Sequence, residues 1–395
     1  MKNIMKNIKA IAAIMMVTIM LLAPAVSAAT AVASSDAKAT DGSSAAAASD
    51  ATAKGEGAVA VASSTANAAD ESIAVADSSA KATSVNDNSD SSVVAKADSV
   101  ANANIDSAAS AKTDVSATGV ALDDSSVEIV ATGKSVANAV FDSSADAESN
   151  VKVLGKATKH SDVDVNVKAI SNAKAILDSS AEAISALGVY AAADHRSDVD
   201  VLAQSNSDAI AVGFSTARAV TDMYLEAEAE HHSSTTLDGS VANAIAIGLI
   251  GSDANAKATG SLDVKTADHS SMDADIQSDA SAIAVVFGTA SAITDATIQK
   301  SYAGHHSYAD IFADADGTAV GLLGGDASSD AVAIAGAHVI KHSTAKVGAF
   351  ADAKTLAVGL HTVVADATAK AGAVVADWSN VVSNAFAHAV DIETP

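Results

Sequence analysis

The chain has 395 residues, with 48 Asp and Glu against 23 Lys and Arg, no cysteine and only two prolines. A formal charge of −25 offers no cationic cluster to a phosphate backbone, so nucleic acid is not an expected partner. The lack of cysteine excludes a disulfide framework and a lipidated-cysteine anchor. No proline lies between Pro24 and Pro395, which points to backbone N–H groups committed to hydrogen-bonded ladders.

Residues 1–28 read as a secretory signal peptide. Lys2, Lys6 and Lys9 form its positive region, residues 11–22 its apolar stretch, and Val26-Ser27-Ala28 its small-residue cleavage site. The apolar stretch is shorter than the ~20 residues of a spanning helix. The mature chain is therefore expected to be secreted, with no membrane contact after cleavage. Losing the three lysines takes its formal charge to −28, which favours solubility before any assembly. Residues 29–88 are rich in Ala, Ser, Asp, Thr and Gly and read as a flexible segment or a degenerate repeat.

From residue 89 to 378 the sequence repeats itself. The register is set by His160-Ser161, His195-Arg196-Ser197, His232-Ser233, His269-Ser270, His306-Ser307 and His342-Ser343, whose serines step by 36, 36, 37, 37 and 36 residues. Trp378-Ser379, Asp124-Ser125 and Asn88-Ser89 extend the frame, giving eight units of 36 or 37 residues. Periods of this size mark solenoids, propellers or arrays. Within the unit 161–196, strand-like runs at 163–170, 173–177 and 181–191 are divided by turn signals at Ser171-Asn172 and Asp178-Ser179-Ser180. The apolar period within each run is two, the period of a strand. Only YLEAEAE (224–230) admits a helix, and its alternation fits a strand equally well. The expected fold is all-β: a repetitive, two-layered β-arch or solenoid-like array of about eight units. Whether units coil in parallel or zigzag as antiparallel hairpins stays open. Residues 379–395 begin another repeat and end polar, as a partial repeat and cap would.

One column separates small from large. Counting 14 from each repeat serine gives Ala139, Ala175, Ala211, Ala284, Gly321 and Ala357, followed by Val140, Ile176, Val212, Val285, Leu322 and Val358. The unit at 233 fits with a one-residue shift to Ala246 and Ile247. A tiny face lets two sheets approach more closely than ~10 Å. The apolar face opposite it needs a partner, either a core within the chain or another copy.

The candidate ligands are His160, His195, His232, His269, His306 and His342, doubled at His231 and His305, with Asp194, Glu230 and Asp268 beside them. If the units coil, these stack about 4.8 Å apart at one corner. Imidazole with carboxylate suits Zn, Ni or Cu, so divalent cations are candidate partners, although a linear row does not by itself make ligands converge. The plain alternative is a tolerated polar corner. The corners Asp142-Ser143-Ser144 and Asp178-Ser179-Ser180 offer oxygen ligands for Ca²⁺ but lack the glycine-rich nonapeptide of calcium-binding β-rolls. The sequence has no HExxH, GxSxG, P-loop or GxGxxG motif. Its Ser, His and Asp recur as corner residues, where a triad needs one asymmetric constellation. No catalysis and no cofactor are expected.

The 36-residue β grammar, the leader and the lack of cysteine and internal proline resemble the sheath proteins of tube-forming methanogenic archaea. That resemblance covers 89–378 in architecture and composition. It implies an extracellular sheath or cell-surface layer of stacked, amyloid-like β-hoops, a homopolymer joined edge to edge and face to face without covalent cross-links. SVANAIAIG (240–248) and SDAIAVGFSTARAV (207–220) are similar to the β-roll heads of trimeric autotransporter adhesins. That second resemblance implies a non-enzymatic surface adhesin.

Overall fold

The structure, a computed structural model, describes residues 30–40, 44–55, 57–69, 73–87, 90–323, 325–358, 363–375 and 380–394. Residues 1–28, expected to be a signal peptide, and Asn88-Ser89 and Trp378-Ser379 lie outside the described residues. The strands are β1 (Thr30–Thr40), β2 (Ser44–Lys54), β3 (Val59–Ala69), β4 (Ile73–Asp87), β5 (Asp90–Asn104), β6 (Ala108–Leu122), β7 (Ser126–Val140), β8 (Ser144–Thr158), β9 (Asp162–Ile176), β10 (Ser180–Asp194), β11 (Asp198–Val212), β12 (Thr216–Glu230), β13 (Ser234–Leu249), β14 (Asp253–Thr266), β15 (Ser271–Val285), β16 (Thr289–Ala303), β17 (Tyr308–Leu322), β18 (Asp326–Val339), β19 (Thr344–Val358), β20 (Val363–Val375) and β21 (Asn380–Thr394).

Odd strands form one sheet of 11 and even strands a second of 10, each in strict sequence order. Every pairing is parallel. The chain is therefore a β-solenoid: each coil crosses one sheet, turns, and returns through the other. This decides coil over zigzag. Residues pair 36 apart through the middle, as in Asp162 with Asp198, but 29 apart at the start, as in Thr30 with Val59. Residues 30–87 thus supply four strands to the same sheets, the first of them in shorter coils.

Most corners are built from two successive residues in the left-handed region followed by a serine; after Val286 and Phe287 the third place is taken by Gly288. Examples are Leu177 (φ 62°) and Asp178 (φ 51°) before Ser179, and His195 (φ 58°) and Arg196 (φ 61°) before Ser197. Left-handed φ is unfavourable for most L-residues, with Asp, Asn and His the most tolerant. The next coil compensates. Leu177 N donates to Val212 O at 2.6 Å and Asp178 N to Gly213 O at 2.9 Å. The serine completes the corner: Ser179 Oγ donates to Ile176 O (3.0 Å) and Leu177 O (2.7 Å) and accepts from Ser143 N in the preceding coil at 3.2 Å. At the opposite edge Ser197 Oγ donates to Asp194 O (2.8 Å) and accepts from Ser161 N (3.2 Å). A short side chain that both donates and accepts meets this need, which explains why serine carries the register.

The interior has two halves. In the coil of β9 and β10, Val163, Val165, Val167, Leu187 and Val189 are buried toward the histidine edge, and Ala173, Ala175, Ala181 and Ala183 toward the other. The wide half continues as one cluster of Val, Leu, Ile, Met and Ala, and the narrow half as a cluster of alanine alone. Between them runs a buried hydroxyl seam. Ser171 Oγ donates across the sheets to Ile184 O (2.5 Å) and Ser185 Oγ to Asn206 O (2.6 Å); Thr113 lies 3.0 Å from Ser135 and 3.1 Å from Ser149.

Three expectations are corrected here, and one open alternative is decided. Ser171-Asn172 is not a turn, because β9 runs unbroken through it with Ser171 wholly buried. Of the two readings of residues 224–230, the strand holds: they belong to β12. In the unit at 233 the column is occupied by Gly248 and Leu249, which pair with Ala211 and Val212, and not by Ala246 and Ile247. The extra residue enters earlier, where the register shifts between Leu237 and Ser240 at Gly239 (φ 61°). Residues 380–394 add a further rung, β21, paired with β19, and do not fold over the ladder.

Candidate functional site

Ala139, Ala175, Ala211, Ala284 and Ala357 all point inward into the narrow half, in one buried cluster with Ala145, Ala181, Ala217, Ala254 and Ala290 of the facing sheet. Gly321 continues the column at its tightest point: a Cβ there would meet Gly325 O at 2.4 Å. Their neighbours Val140, Ile176, Val212, Val285, Leu322 and Val358 point outward, half-buried along the rim of the odd sheet. The small face is thus a core within the chain, and the large face is on the surface.

That rim meets an apolar corner. Ile105, Phe141, Leu177, Phe214, Ile250, Phe287 and Leu323 are all exposed there, Phe214 by 74% and Phe287 by 77%. All seven sit at left-handed φ, including the β-branched Ile105 (56°) and Ile250 (59°), as does Val286 (65°) beside Phe287, an uncommon conformation for such residues. A Cβ on Gly251 would come within 2.9 Å of the Phe214 ring.

The opposite corner is polar. Its two left-handed positions split the histidines into two rows instead of one. His232, His269, His306 and His342 occupy the second position and stack, with ring centroids 4.9, 5.1 and 5.1 Å apart. His195 occupies the first position and stacks on His231 at 4.5 Å; Arg196 takes the second position in that coil, between His160 and the four-ring stack. His160 lies 3.9 Å from Asp124. Farther along the first row, His305 Nε2 lies 2.7 Å from Lys341 Nζ.

Carboxylates cross-link the first row. Asp194, the last residue of β10, places Oδ2 2.8 Å from His195 Nδ1 and Oδ1 2.7 Å from His231 Nδ1. Asp268 lies 3.6 Å from His231 Nε2 and 3.7 Å from His305 Nδ1. The hydrogen bond to Asp194 raises the pKa of His231 against a smaller opposing effect of burial. Partial burial would raise Asp194, but its bonds to the two imidazoles outweigh this and lower it. Glu230 bonds to Lys265 instead. Among the described residues only Asp194, His195 and His231 bring three such donor atoms within 4.8 Å of one another; the Asp142 and Asp178 corners gather no such group.

A second acidic row lies on the outer face of the odd sheet. Asp279, Asp316 and Asp352 are in register. Asp314 beside them is pushed up to about 6, by burial first and then by Asp316 and Asp279. The hydroxyl seam was missed in the sequence, although Ser99, Ser135, Ser171 and Ser207 recur there every 36 residues. Comparison with family models, characterised proteins and solved structures returns no match to this chain.

Proposed function

We propose that this chain is a secreted, non-enzymatic structural protein that self-assembles by β-sheet stacking into an extracellular sheath or surface layer, as the resemblance to archaeal sheath proteins implies. The observation that carries the reading is the open rung at β21. Its inward residues Ala385, Ala387 and Ala389 are exposed, whereas their partners one coil earlier, Ala349, Ala351 and Ala353, are buried. Among the described residues β1, β2, β20 and β21 each pair on one side only. Unpaired parallel edges are templates for further strands, and an exposed inner face calls for an opposing strand. The apolar edge adds a lateral surface. Electron microscopy and fibre diffraction on residues 29–395 test this. Ordered tubes, hoops or filaments with a ~4.8 Å repeat are expected. Discrete soluble particles at every concentration would overturn it in favour of an adhesin head.

A further inference from the structure

We propose that Asp194, His195 and His231 form a binding site for one borderline divalent transition-metal ion, of the Zn²⁺, Ni²⁺ or Cu²⁺ class, that clamps two adjacent coils together. The site does not depend on whether the chain polymerises.

The donors converge because the corner geometry makes them. Asp194 ends β10 and His195 follows it at left-handed φ; His231 stands at the same position one coil on. The ladder bond from Arg196 N to His231 O, 3.0 Å, holds the two corners in step. Both imidazoles aim Nδ1 at one carboxylate, at 2.8 and 2.7 Å, with the rings stacked and 19° from parallel. Two imidazole nitrogens and a carboxylate oxygen, with solvent completing a tetrahedron, match the ligand set this class of ion accepts. A cation drawn between the three donors takes the Nδ1 lone pairs: where an Nδ1 carries the proton of a neutral ring, that proton passes through solvent to Nε2, and an imidazolium releases its Nδ1 proton to water.

A further carboxylate stands on the far side of the His231 ring. Asp268 faces His231 Nε2 at 3.6 Å, close enough to favour a proton on Nε2 once Nδ1 is given to an ion. Outer carboxylates of this kind orient ligating histidines and raise their basicity. The four-ring stack lacks such convergence: His232, His269, His306 and His342 lie side by side, and among the described residues they join no three-donor group. In a chain without cysteine, an ion shared by two coils would be a cross-link.

Equilibrium dialysis of the full chain, soluble or assembled, against Zn²⁺ at neutral pH tests this, with the visible spectrum of Co²⁺ as a second readout of ligand geometry. One saturable ion per chain is expected, with a tetrahedral Co²⁺ spectrum. His231→Ala and Asp194→Asn should abolish both. Asp268→Asn should weaken binding by about 10- to 100-fold, as loss of an outer partner does. His306→Ala is the control and should bind as the parent does. Circular dichroism of each variant checks that these exposed substitutions leave the β-structure intact. No saturable binding, or equal weakening by His306→Ala and His231→Ala, would overturn the site.

Discussion

The two edges of the coil share one backbone device and differ in almost everything else. Both turn through two left-handed residues and, in most coils, a buried serine, which Gly288 replaces at one apolar corner. One edge carries imidazoles and carboxylates over a wide interior of Val, Leu, Ile, Met and Ala; the other carries Phe, Leu and Ile, with Asp106, Asp142 and Asp178 beside them in the earlier coils, over alanine. Since the same turn accommodates His or Phe, folding alone does not choose between them. The buried third position is what the turn restricts, to serine or, at Gly288, glycine, and the exposed pair is free to serve function. Placing a β-branched residue at positive φ and in water is unfavourable on both counts, so the apolar edge needs a reason outside the single chain.

The largest test of the comparison lies inside. The column of Ala211, Gly248, Ala284, Gly321 and Ala357 admits nothing larger than alanine, and a Cβ on the neighbouring Gly288 would already meet Ser252 O at 1.9 Å. Ala284→Leu should cost about 3 kcal/mol or more by overpacking and abolish assembly. Ala274 lies in a wide-half column with Val201, Leu237, Ile311 and Val347, so Ala274→Leu should be tolerated. Denaturant midpoints of the two variants decide the matter, and equal losses would dissolve the distinction between the halves.

The shared device predicts the next effect. Ser197→Ala and Ser179→Ala each leave a buried backbone N–H of the preceding coil, Ser161 or Ser143, without its acceptor. Each should cost about 1–3 kcal/mol, and the two losses should match although one edge is polar and the other apolar. Urea unfolding of both variants measures this. A loss at one edge only would mean that the corners are held differently.

A weaker, pH-dependent effect should come from the sheet face between the edges. Asp314 is held at about 6, above its ordinary 3.8, chiefly by burial and then by Asp316 and Asp279, with Asp275 adding to them and the Ala315 N–H opposing. The folded chain therefore keeps a proton that the unfolded chain has lost between these values. The stability it confers is fullest below about pH 4 and is lost as pH rises through about 6. Thermal unfolding should occur at higher temperature at pH 5 than at pH 8, and Asp314→Asn should flatten that slope. An unchanged slope would place the response elsewhere, at the histidine edge for instance.

The fold was legible to the extent that its determinants are periodic in sequence. Serine spacing gave the coil length, and alternation gave the strands. Parallel coiling was not legible, because residues that pair 36 apart look the same whether the chain winds or folds back. Ser171 was misread as a turn because serine in water-facing chain ends strands; inside, its hydroxyl is satisfied by Ile184 O of the opposite sheet, a partner no local pattern reveals. The slip at Gly239 likewise moved the column forward to Gly248 where the sequence offered Ala246. At the candidate site the histidines were visible, but their division into two rows was not. It follows from two left-handed positions per corner, which put His195 beside His231 and Arg196 next to the stack.

The smallest effect on the fold should have the largest contrast in assembly. Phe287 is 77% exposed and His269 stacks in the open on the opposite edge, so neither Phe287→Ser nor His269→Ser should move unfolding by more than about 0.5 kcal/mol, as for surface positions generally. If the apolar edge is the lateral surface, Phe287→Ser removes an exposed aromatic group from the centre of that contact and leaves the stacking edges of β20 and β21 untouched. Filaments should still form but stay single, whereas His269→Ser should leave lateral packing as in the parent. Electron micrographs of the two variants at one protein concentration separate these outcomes. Equal bundling in both would remove the apolar edge from assembly and leave end-to-end pairing as the one mode of growth.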